Sequence, residues 1–473
     1  MSSVLKKLPF GVKLGVLLST LLLLPLTAFA AEGGATIDTG DTAWVLASAV
    51  LVLLMTVPGL ALFYGGLMGK RNVLSTTMHS LSSILIVTVV WVLWGYTLAF
   101  GTDVAGIIGG LDFLGFNGVG MDATTLTVPH IIFAMFQIMF AALTVALISG
   151  GIAGRVNFGA WVPFTILWTT FIYAPFAHWV WGGGWLAQMG ELDFAGGTVV
   201  HILSGVSALV AALVIGPRLG YPKKSLPPHN VVYFLAGAAL LWIGWMGFNA
   251  GSALSAGALA AQAFATTQAA AAAAGFTWFV LEWILRKKPT IVGAATGLIA
   301  GLVGITPAAG FVTVPAALVI GFGAALICYF GVNFMKAKLK YDDTLDVFGV
   351  HGLGGIWGAI ATGIFATTSI NPAGKDGLLY GNPEQLVTQL IGVGTAIAFA
   401  AIGTFVILKA ISLFTSLRVS KEEEINGLDF SQHGELAYNT FEPTTSDLSA
   451  ASLEEEAHLA ITGKPSTKEV VNP

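Results

Sequence analysis

Long apolar runs separated by short polar segments make up most of this chain. Eleven such runs follow residue 40, and a helix needs about 20 apolar residues to cross a bilayer. Their approximate bounds are 42–67, 73–100, 129–153, 159–181, 197–217, 230–250, 258–285, 290–306, 312–336, 347–367 and 385–417. The pattern predicts an all-α polytopic membrane protein with eleven transmembrane helices.

The loops between these runs alternate in charge. The intervening loops carry acidic residues and a single basic one, Lys375. Because basic loops stay on the cytoplasmic side of a membrane, the chain is predicted to run N-out/C-in, which requires an odd number of spans. The basic residues fall in every second loop, at Lys70/Arg71, Arg155, Arg218/Lys223/Lys224, Arg286/Lys287/Lys288 and Lys336/Lys338/Lys340.

Two histidines lie in apolar surroundings at corresponding places in the chain. His201 follows Asp193 in the fifth run, and His351 follows Asp346 in the tenth. Ionisable side chains are costly inside a membrane and by default mark a substrate or proton path. Five runs per half in opposite orientations are typical of an inverted repeat with its site between the halves. The sequence therefore predicts two inverted five-helix halves plus an eleventh helix.

The two ends of the chain differ from the apolar body. Residues 1–30 have a basic start, a short apolar core and the small-residue motif Ala28-Phe29-Ala30, which is typical of a cleaved signal peptide. A retained first helix is the alternative. The eleven-helix body is then 31–418, and an acidic cytoplasmic tail at 419–473 holds 11 of the 25 acidic residues. Turn-forming and aromatic residues near 427–438 indicate a docked segment within this tail.

The composition narrows the chemistry. The chain is 55% hydrophobic and 10% charged with a net charge of −4, so membrane lipid is an expected contact and nucleic acid is not. The single cysteine excludes a cysteine metal cluster. Metal binding at the two histidines is a rival interpretation, because the nearby aspartates could add ligands. A catalytic metal usually has three protein ligands, and Asp193 lies an awkward eight residues from His201, so a membrane metalloenzyme is disfavoured.

Aromatic residues cluster near the predicted outer ends of several runs. Phe136 and Phe140 are four residues apart and share a helix face. Trp181 ends the fourth run, and Trp245, Phe248 and Ser252 close the sixth. Tryptophans ordinarily form belts at the membrane interface. An aromatic face also attracts a small cation by about 0.5–1 kcal/mol, and by more when desolvated, so a cup with one hydroxyl suits a small cation with N–H donors.

Four motifs carry a resemblance to a known family. They are Asp-Phe-Ala-Gly-Gly-Thr-Val-Val-His at 193–201, Gly-Trp-Met-Gly-Phe-Asn-Ala-Gly-Ser at 244–252, Asp-Val-Phe-Gly-Val-His-Gly at 346–352, and Gly-Leu-Asp with His-Gly-Glu-Leu-Ala-Tyr within 427–438. Through these motifs the chain resembles the Amt/Mep/Rh ammonium transporter family, and most nearly its bacterial Amt branch. The resemblance covers residues 40–440, and four long motifs in the same order make it highly specific.

The resemblance implies an outer ammonium-recruitment site formed by Phe140, Trp181 and Ser252. Below that site, Phe140 and Phe248 match a stacked pair that blocks the pore as a gate. The implied activity is recruitment of ammonium, or of its analogue methylammonium, followed by deprotonation and conduction of ammonia through a hydrophobic pore. Potassium lacks N–H groups and could not be split in this way, so it is expected to be rejected.

The resemblance also implies roles inside the pore. His201 and His351 match twin histidines that line its narrow part, where they can relay a proton separately from ammonia. Asp193 matches a buried acid that supports the recruitment site. His79 lies deep in the second run but outside the motifs, and it receives no role.

Further properties are implied at the level of the whole protein. These are a multi-pass location in the inner (plasma) membrane, a homotrimer with one pore per subunit, and a PII-type regulatory protein at the cytoplasmic face. Neither a cofactor nor an enzymatic activity is expected. An ammonium sensor and an Rh-like neutral gas channel are the alternatives. The short segment after the last run disfavours a sensor with a long signalling domain, and the intact aromatic cup favours cation recruitment over a neutral gas.

Overall fold

Most of the chain is helical. The structure, a computed structural model, describes residues 35–123, 126–223 and 227–438. The predicted signal peptide and the tail beyond Tyr438 lie outside these residues. Two short helices near the end are α12 (Lys421–Asn426) and α13 (Leu428–His433). The preceding helices, α1 to α11, are Thr39–Leu67, Val73–Phe100, His130–Ile152, Phe158–Met189, Gly197–Ile215, Val231–Gly251, Ala258–Arg286, Ile291–Ile305, Val314–Leu339, Phe348–Phe365 and Pro383–Ser412.

The helices correspond to the predicted apolar runs. Within the described residues, ten helices are long and apolar enough to cross a membrane, and α8 is apolar but shorter. The all-α polytopic architecture is therefore confirmed, whereas the count of eleven spanning helices stays a prediction. The last run was expected to reach residue 417 but its helix ends at Ser412. The chain turns away there because Leu417 and Val419 hydrogen-bond to the loop at 155–157.

The loop between α2 and α3 builds a cover on the predicted outer side. It contains the antiparallel pair β1 (Asp103–Val104) and β2 (Ile108–Gly109), followed by a short 3₁₀ turn at Leu114–Phe116. Phe113 and Phe116 pack on the ring of Tyr96 at centroid distances of 5.7 and 5.4 Å. A second 3₁₀ turn, Leu378–Tyr380, precedes α11. The aromatic contacts fix the first loop over the end of α2.

Small residues bring helix backbones into direct contact. A Cβ added at Gly66 of α1 or at Gly237 of α6 would overlap backbone atoms of the other helix. Gly297 and Gly301 of α8 meet α7 in the same way. Such close approach is how helices associate in lipid, where van der Waals contact rather than hydrophobic burial drives packing.

Wide π-helical turns begin the two helices that carry the conspicuous histidines. His201 lies in the turn Gly197–Ile202 at the start of α5, and His351 lies in the turn Phe348–Gly352 at the start of α10. Such turns are frequent at functional sites. Gly205 faces the backbone of Gly352 so closely that an added Cβ would overlap it. This crossing sets the distance between the two histidine-bearing turns.

A buried arginine joins the predicted cytoplasmic loops. Arg155 is fully buried, and its guanidinium donates to the carbonyls of Gly216 at 2.7 Å and Asp342 at 2.6 Å. It also donates to the hydroxyl of Thr344 at 2.6 Å. A buried cation is tolerated only where hydrogen bonds replace its water. These bonds therefore hold together the loops that follow α3, α5 and α9.

The segment after α11 contacts the same side of the molecule. The carboxylate of Asp429 in α13 accepts hydrogen bonds from the backbone N–H groups of Val73 and Ser75 at 3.1 and 2.8 Å. These N–H groups belong to the first turn of α2, where a helix leaves its donors unsatisfied. The hydroxyl of Tyr438 lies 2.9 Å from the imidazole of His229. The segment near 427–438 is thus docked by polar contacts.

We expect Gly205→Ala to destabilise the protein because its Cβ would overlap the backbone of α10. Overpacking of this kind costs about 1–3 kcal/mol, which thermal unfolding of the purified protein measures. Gly394→Ala is the matched control, since a Cβ at Gly394 in α11 has no neighbour within 4 Å. Equal melting temperatures for the two variants would contradict a tight crossing of α5 and α10.

Candidate functional site

An aromatic cavity opens on the predicted outer side of the helix bundle. Its volume is about 570 Å³, and Phe140, Trp181 and Ser252 all contribute to its wall. The rings of Phe140 and Trp181 meet edge to face with centroids 6.0 Å apart. The hydroxyl of Ser252 donates to the carbonyl of Phe248 at 2.8 Å. A hydroxyl that donates in this way still has lone pairs, so the cavity combines aromatic faces with a hydrogen-bond acceptor.

The position of Trp181, in the turn that follows Val180 within α4, is fixed by a hydrogen bond. Its indole N–H donates to the backbone carbonyl of Asp193 at 2.9 Å. Asp193 lies in the segment that enters α5. The aromatic wall of the cavity is therefore attached directly to the start of a histidine-bearing helix.

Two stacked rings form the floor of the cavity. The rings of Phe140 and Phe248 lie 4.3 Å apart at an interplanar angle of 30°. Both side chains are buried. A ring pair offers a cation no replacement for its hydration shell, so the floor favours neutral molecules over ions.

The two histidines meet directly below this floor. The Nδ1 atoms of His201 and His351 lie 3.2 Å apart. His201 also stacks on Trp245 at 5.4 Å and lies 6.2 Å from the ring of Phe248. Because a neutral imidazole has one donor and one acceptor nitrogen, one Nδ1 donates to the other. The Nε2 of His201 has no hydrogen-bond partner among the described residues, which leaves it free for a solute.

Asp193 holds the first turn of α5 in place. Its carboxylate accepts from the N–H groups of Gly196, Gly197, Thr198 and Val199 at 2.7, 2.6, 2.8 and 3.2 Å. It also accepts from the Thr198 hydroxyl at 2.6 Å. Negative charge at a helix N-terminus satisfies the unpaired N–H groups and complements the helix dipole. Asp193 thus positions the turn that carries His201.

The residue of α10 that corresponds to Asp193 is Asp343 rather than Asp346, the aspartate of the sequence motif. Asp343 precedes His351 by eight residues, the same spacing as between Asp193 and His201, and its carboxylate accepts from the N–H of Phe348 at 2.7 Å. Asp346 instead forms an ion pair with Lys336 at 2.6 Å. Burial raises the pKa of Asp343 to about 6 against the opposing effect of Lys336.

A second, narrower cavity lies on the far side of the histidines. His351 is the polar residue on its wall. The rest of the wall is apolar and comprises Met55, Leu60, Phe63, Leu143, Leu147, Leu241, Trp245 and Ile299. The polar atoms of the histidine pair are therefore enclosed by apolar surfaces above and below.

The other histidines of the apolar region do not contact the His201–His351 pair. His79 packs edge-on against Trp161 at 5.1 Å. His130 hydrogen-bonds the hydroxyl of Tyr96 on the wall of the outer cavity. His178 bonds Asp103 in the outer loop at 2.8 Å.

The sequence did not predict the positions of several residues at the site. Trp245 lies inside the 244–252 motif, yet nothing in the pattern places its ring against His201. Asp343 could have been found from its eight-residue spacing to His351. Glu191 is buried close to Asp193, and neither of its carboxylate oxygens has a partner among the described residues. Burial, reinforced by the charge of Asp193, raises the pKa of Glu191 to about 8.

Together the helices and this column of side chains define a multi-pass membrane protein with an internal path. An aromatic cavity, a ring-blocked floor, a histidine pair and a narrow apolar cavity follow one another between α1, α3, α5, α6 and α10. Such an arrangement is typical of a channel or transporter for a small solute.

Comparison with known proteins identifies the family. The model of the Ammonium Transporter Family matches residues 43–438. An ammonium transporter of Bacillus subtilis is 55% identical, over 84% of this chain and 98% of its own length. The crystal structure of Saccharomyces cerevisiae Mep2 superposes with a TM-score of 0.79 and 36% identity, covering 89% of this chain and 98% of that one.

A structure described as a sensor Amt protein is also similar. It has a TM-score of 0.78 and 30% identity, and the match covers 83% of this chain and 98% of that one. The chain therefore belongs to the ammonium transporter family, as the motifs predicted.

We expect Asp193→Ala to destabilise the start of α5. Removing the carboxylate leaves several buried N–H groups unpaired, at a cost of about 1–3 kcal/mol for each group left unsatisfied. Thermal unfolding in detergent measures the loss. Asp112→Ala is a suitable control, because Asp112 accepts one backbone bond, from Thr102, in an exposed loop. A melting temperature as high as that of the control would contradict the capping role.

Proposed function

We propose that this protein transports ammonium across the plasma membrane, with Phe140, Trp181 and Ser252 as the recruitment site. The observation that carries the proposal is the column in which the aromatic cavity leads through two stacked rings to paired histidines. Aromatic faces attract a small cation, and the Ser252 oxygen can accept from an ammonium N–H. The 55% identical Bacillus subtilis ammonium transporter supports the choice of solute.

The cation loses a proton before it passes the gate formed by Phe140 and Phe248. An intact charge at the centre of a membrane costs about 2.5–3.5 kcal/mol on insertion scales and more in simulations. The stacked rings offer little compensation. Neutral ammonia avoids this cost, and the imidazoles of His201 and His351 then supply the hydrogen bonds that it needs.

The histidine pair also offers a route for the released proton. Since one Nδ1 donates to the other across 3.2 Å, a proton added on one side can be passed on by exchange of tautomers. Ammonia and proton thus cross separately. Potassium has the charge but no proton to release, so it stops at the gate. Asp193 supports this site by holding α5 and Trp181.

We further propose that the protein is not an enzyme, needs no cofactor, and assembles as a homotrimer with a pore in each subunit. A PII-type regulatory protein is the proposed cytoplasmic partner. These proposals follow from the family to which the chain belongs. The segment docked near 427–438 supports the proposal of a PII-type partner, because it presents a surface on the side where such a partner binds.

Sensing is a second candidate function. The similarity to a structure described as a sensor Amt protein favours it. The two functions are compatible, since a sensor can use the same recruitment cavity. The column that continues past the histidines into a second cavity supports transport as the principal one.

We expect His201→Ala to reduce the selectivity for ammonium over potassium by roughly tenfold or more, because a lost hydrogen-bond partner in a buried site costs about 1–3 kcal/mol. Fluxes of both ions into liposomes containing the purified protein measure the effect. His458→Ala, in the acidic tail, is the control. Wild-type transport and selectivity in the His201 variant would remove the proton-relay role.

We expect Trp181→Leu to weaken the apparent affinity for ammonium and methylammonium by about threefold to tenfold, which corresponds to loss of one desolvated cation–π contact. Concentration dependence of methylammonium uptake measures it. Trp283→Leu is the matched control, because Trp283 is 59% exposed on the outside of the bundle. An unchanged affinity in Trp181→Leu would contradict the aromatic cup.

A further inference from the structure

The two aspartates that cap the histidine-bearing helices differ in their hydrogen bonds. Both carboxylate oxygens of Asp193 are occupied, by four backbone N–H groups and one hydroxyl. In Asp343, Oδ2 accepts from Phe348 at 2.7 Å, whereas Oδ1 has no partner among the described residues. Asp343 is nevertheless fully buried. A buried carboxylate oxygen without a partner is costly. Helix capping uses only Oδ2 and does not account for the burial of Oδ1.

The position of Asp343 is at the cytoplasmic end of the path. It precedes His351 by eight residues, in the segment that leads into α10. Its charge acts on the nearby Tyr64. The hydroxyl of Tyr64 donates to the carbonyl of Leu147 at 3.1 Å, and Leu147 lines the cavity below His351. Tyr64 and Leu147 therefore connect Asp343 to the wall of that cavity.

The surroundings of Asp343 allow it to exchange a proton. Burial raises its pKa to about 6, so the carboxyl group can be found in either form near the pH of a cell interior. Lys336 opposes that shift and Asp346 reinforces it. The other titratable or charged groups that face Asp343 from neighbouring elements are Tyr64, Arg155 and Tyr341.

We propose that Asp343 is the proton-exchanging residue at the cytoplasmic end of the ammonium path, an inference that rests on the proposed function. The protonated carboxyl group transfers its proton to ammonia that leaves the lower cavity, which yields ammonium and a carboxylate. The carboxylate then takes up the proton that has crossed through the histidine pair, and the cycle is closed without any other reactant. Water entering the lower cavity carries the proton over the distance between His351 and Asp343.

Asp343 and Asp193 differ in their capacity to take up a proton. Both oxygens of Asp193 accept from N–H and O–H donors at the start of α5, so it has no unoccupied oxygen to receive a proton. Asp193 is a positioning residue. The unoccupied Oδ1 of Asp343 makes it both a cap and a proton carrier, although the two helices are built on the same spacing.

The test measures ammonium-driven currents in liposomes containing the full-length protein, with its cytoplasmic face toward the lumen, as lumenal pH is varied. For the wild type we expect the inward current to fall as lumenal pH drops through about 6, because a carboxyl group that stays protonated cannot accept the next proton. Asp343→Asn keeps an oxygen for Phe348 but cannot carry a proton. Its current should be lower by roughly tenfold or more, as for loss of an acid–base group, and insensitive to lumenal pH.

Two further variants separate proton transfer from helix capping. Asp343→Glu should restore a pH-dependent current that Asp343→Asn lacks. Asp193→Asn weakens the other cap and should lower the current while leaving the pH midpoint unchanged. The ammonium and proton gradients are the same for all variants at each lumenal pH. A difference between the pH profiles of two variants is therefore caused by the substituted residue. Neutral ammonia flux, followed as lumenal alkalinisation, should be less affected in Asp343→Asn than the current.

The experiment distinguishes failure of the role proposed for Asp343 from failure of the proposed transport function. No ammonium-driven flux in the wild type would overturn transport itself. Flux in the wild type with an unaltered current and pH profile in Asp343→Asn would overturn only the role of Asp343. If Asp343→Asn does not fold, the wild type decides, because the absence of a lumenal-pH midpoint between about 5 and 7 would exclude a buried carboxyl group of this kind.

Discussion

The contact between His201 and His351 depends on how closely α5 and α10 approach each other. Their backbones meet at Gly205 and Gly352, where no side chain separates them, and the two Nδ1 atoms consequently lie 3.2 Å apart. In lipid this approach is driven by van der Waals contact between small residues. A larger residue at the crossing would separate the imidazoles before it disturbed any other part of the path.

The caps at the starts of these helices complete the same arrangement. Asp193 gathers the N–H groups at 196–199 and, through its own carbonyl, fixes the indole of Trp181. One residue therefore orients both the wall of the outer cavity and the turn that carries His201. The chain keeps its polar groups at the ends of the path, where they can be satisfied, and leaves apolar walls between them. Within that apolar stretch the histidines are the polar groups that a passing molecule meets.

Much of this could be predicted from the sequence, because a membrane imposes a strong pattern on the chain. Apolar runs placed the helices to within a few residues in most cases, and the cost of burying His201 and His351 singled them out. The motifs identified Phe140, Trp181, Phe248 and Ser252, which the structure brings into one column. The end of α11 was missed because Leu417 and Val419 bond to a loop far away in the chain. Trp245 was grouped with the outer aromatic residues, and its stacking on His201 was missed because ring stacking between separate helices leaves no local pattern.

The two aspartates that precede His351 show that closeness in sequence does not identify the residue that caps α10. Asp346 is nearer to His351 in sequence and belongs to the conspicuous motif, yet it turns to Lys336 at 2.6 Å. Asp343 has the eight-residue spacing of Asp193 and caps α10, so helix geometry rather than proximity defines the equivalent residue. Asp193 and Asp343 are equivalent caps, but they differ in how many of their carboxylate oxygens accept hydrogen bonds. An inverted repeat would give both ends of the path the same chemistry if its halves were identical. The saturated carboxylate of Asp193 and the unoccupied oxygen of Asp343 break that equivalence. In the mechanism that we propose, the outer end holds a cation while it loses a proton, and the inner end returns one.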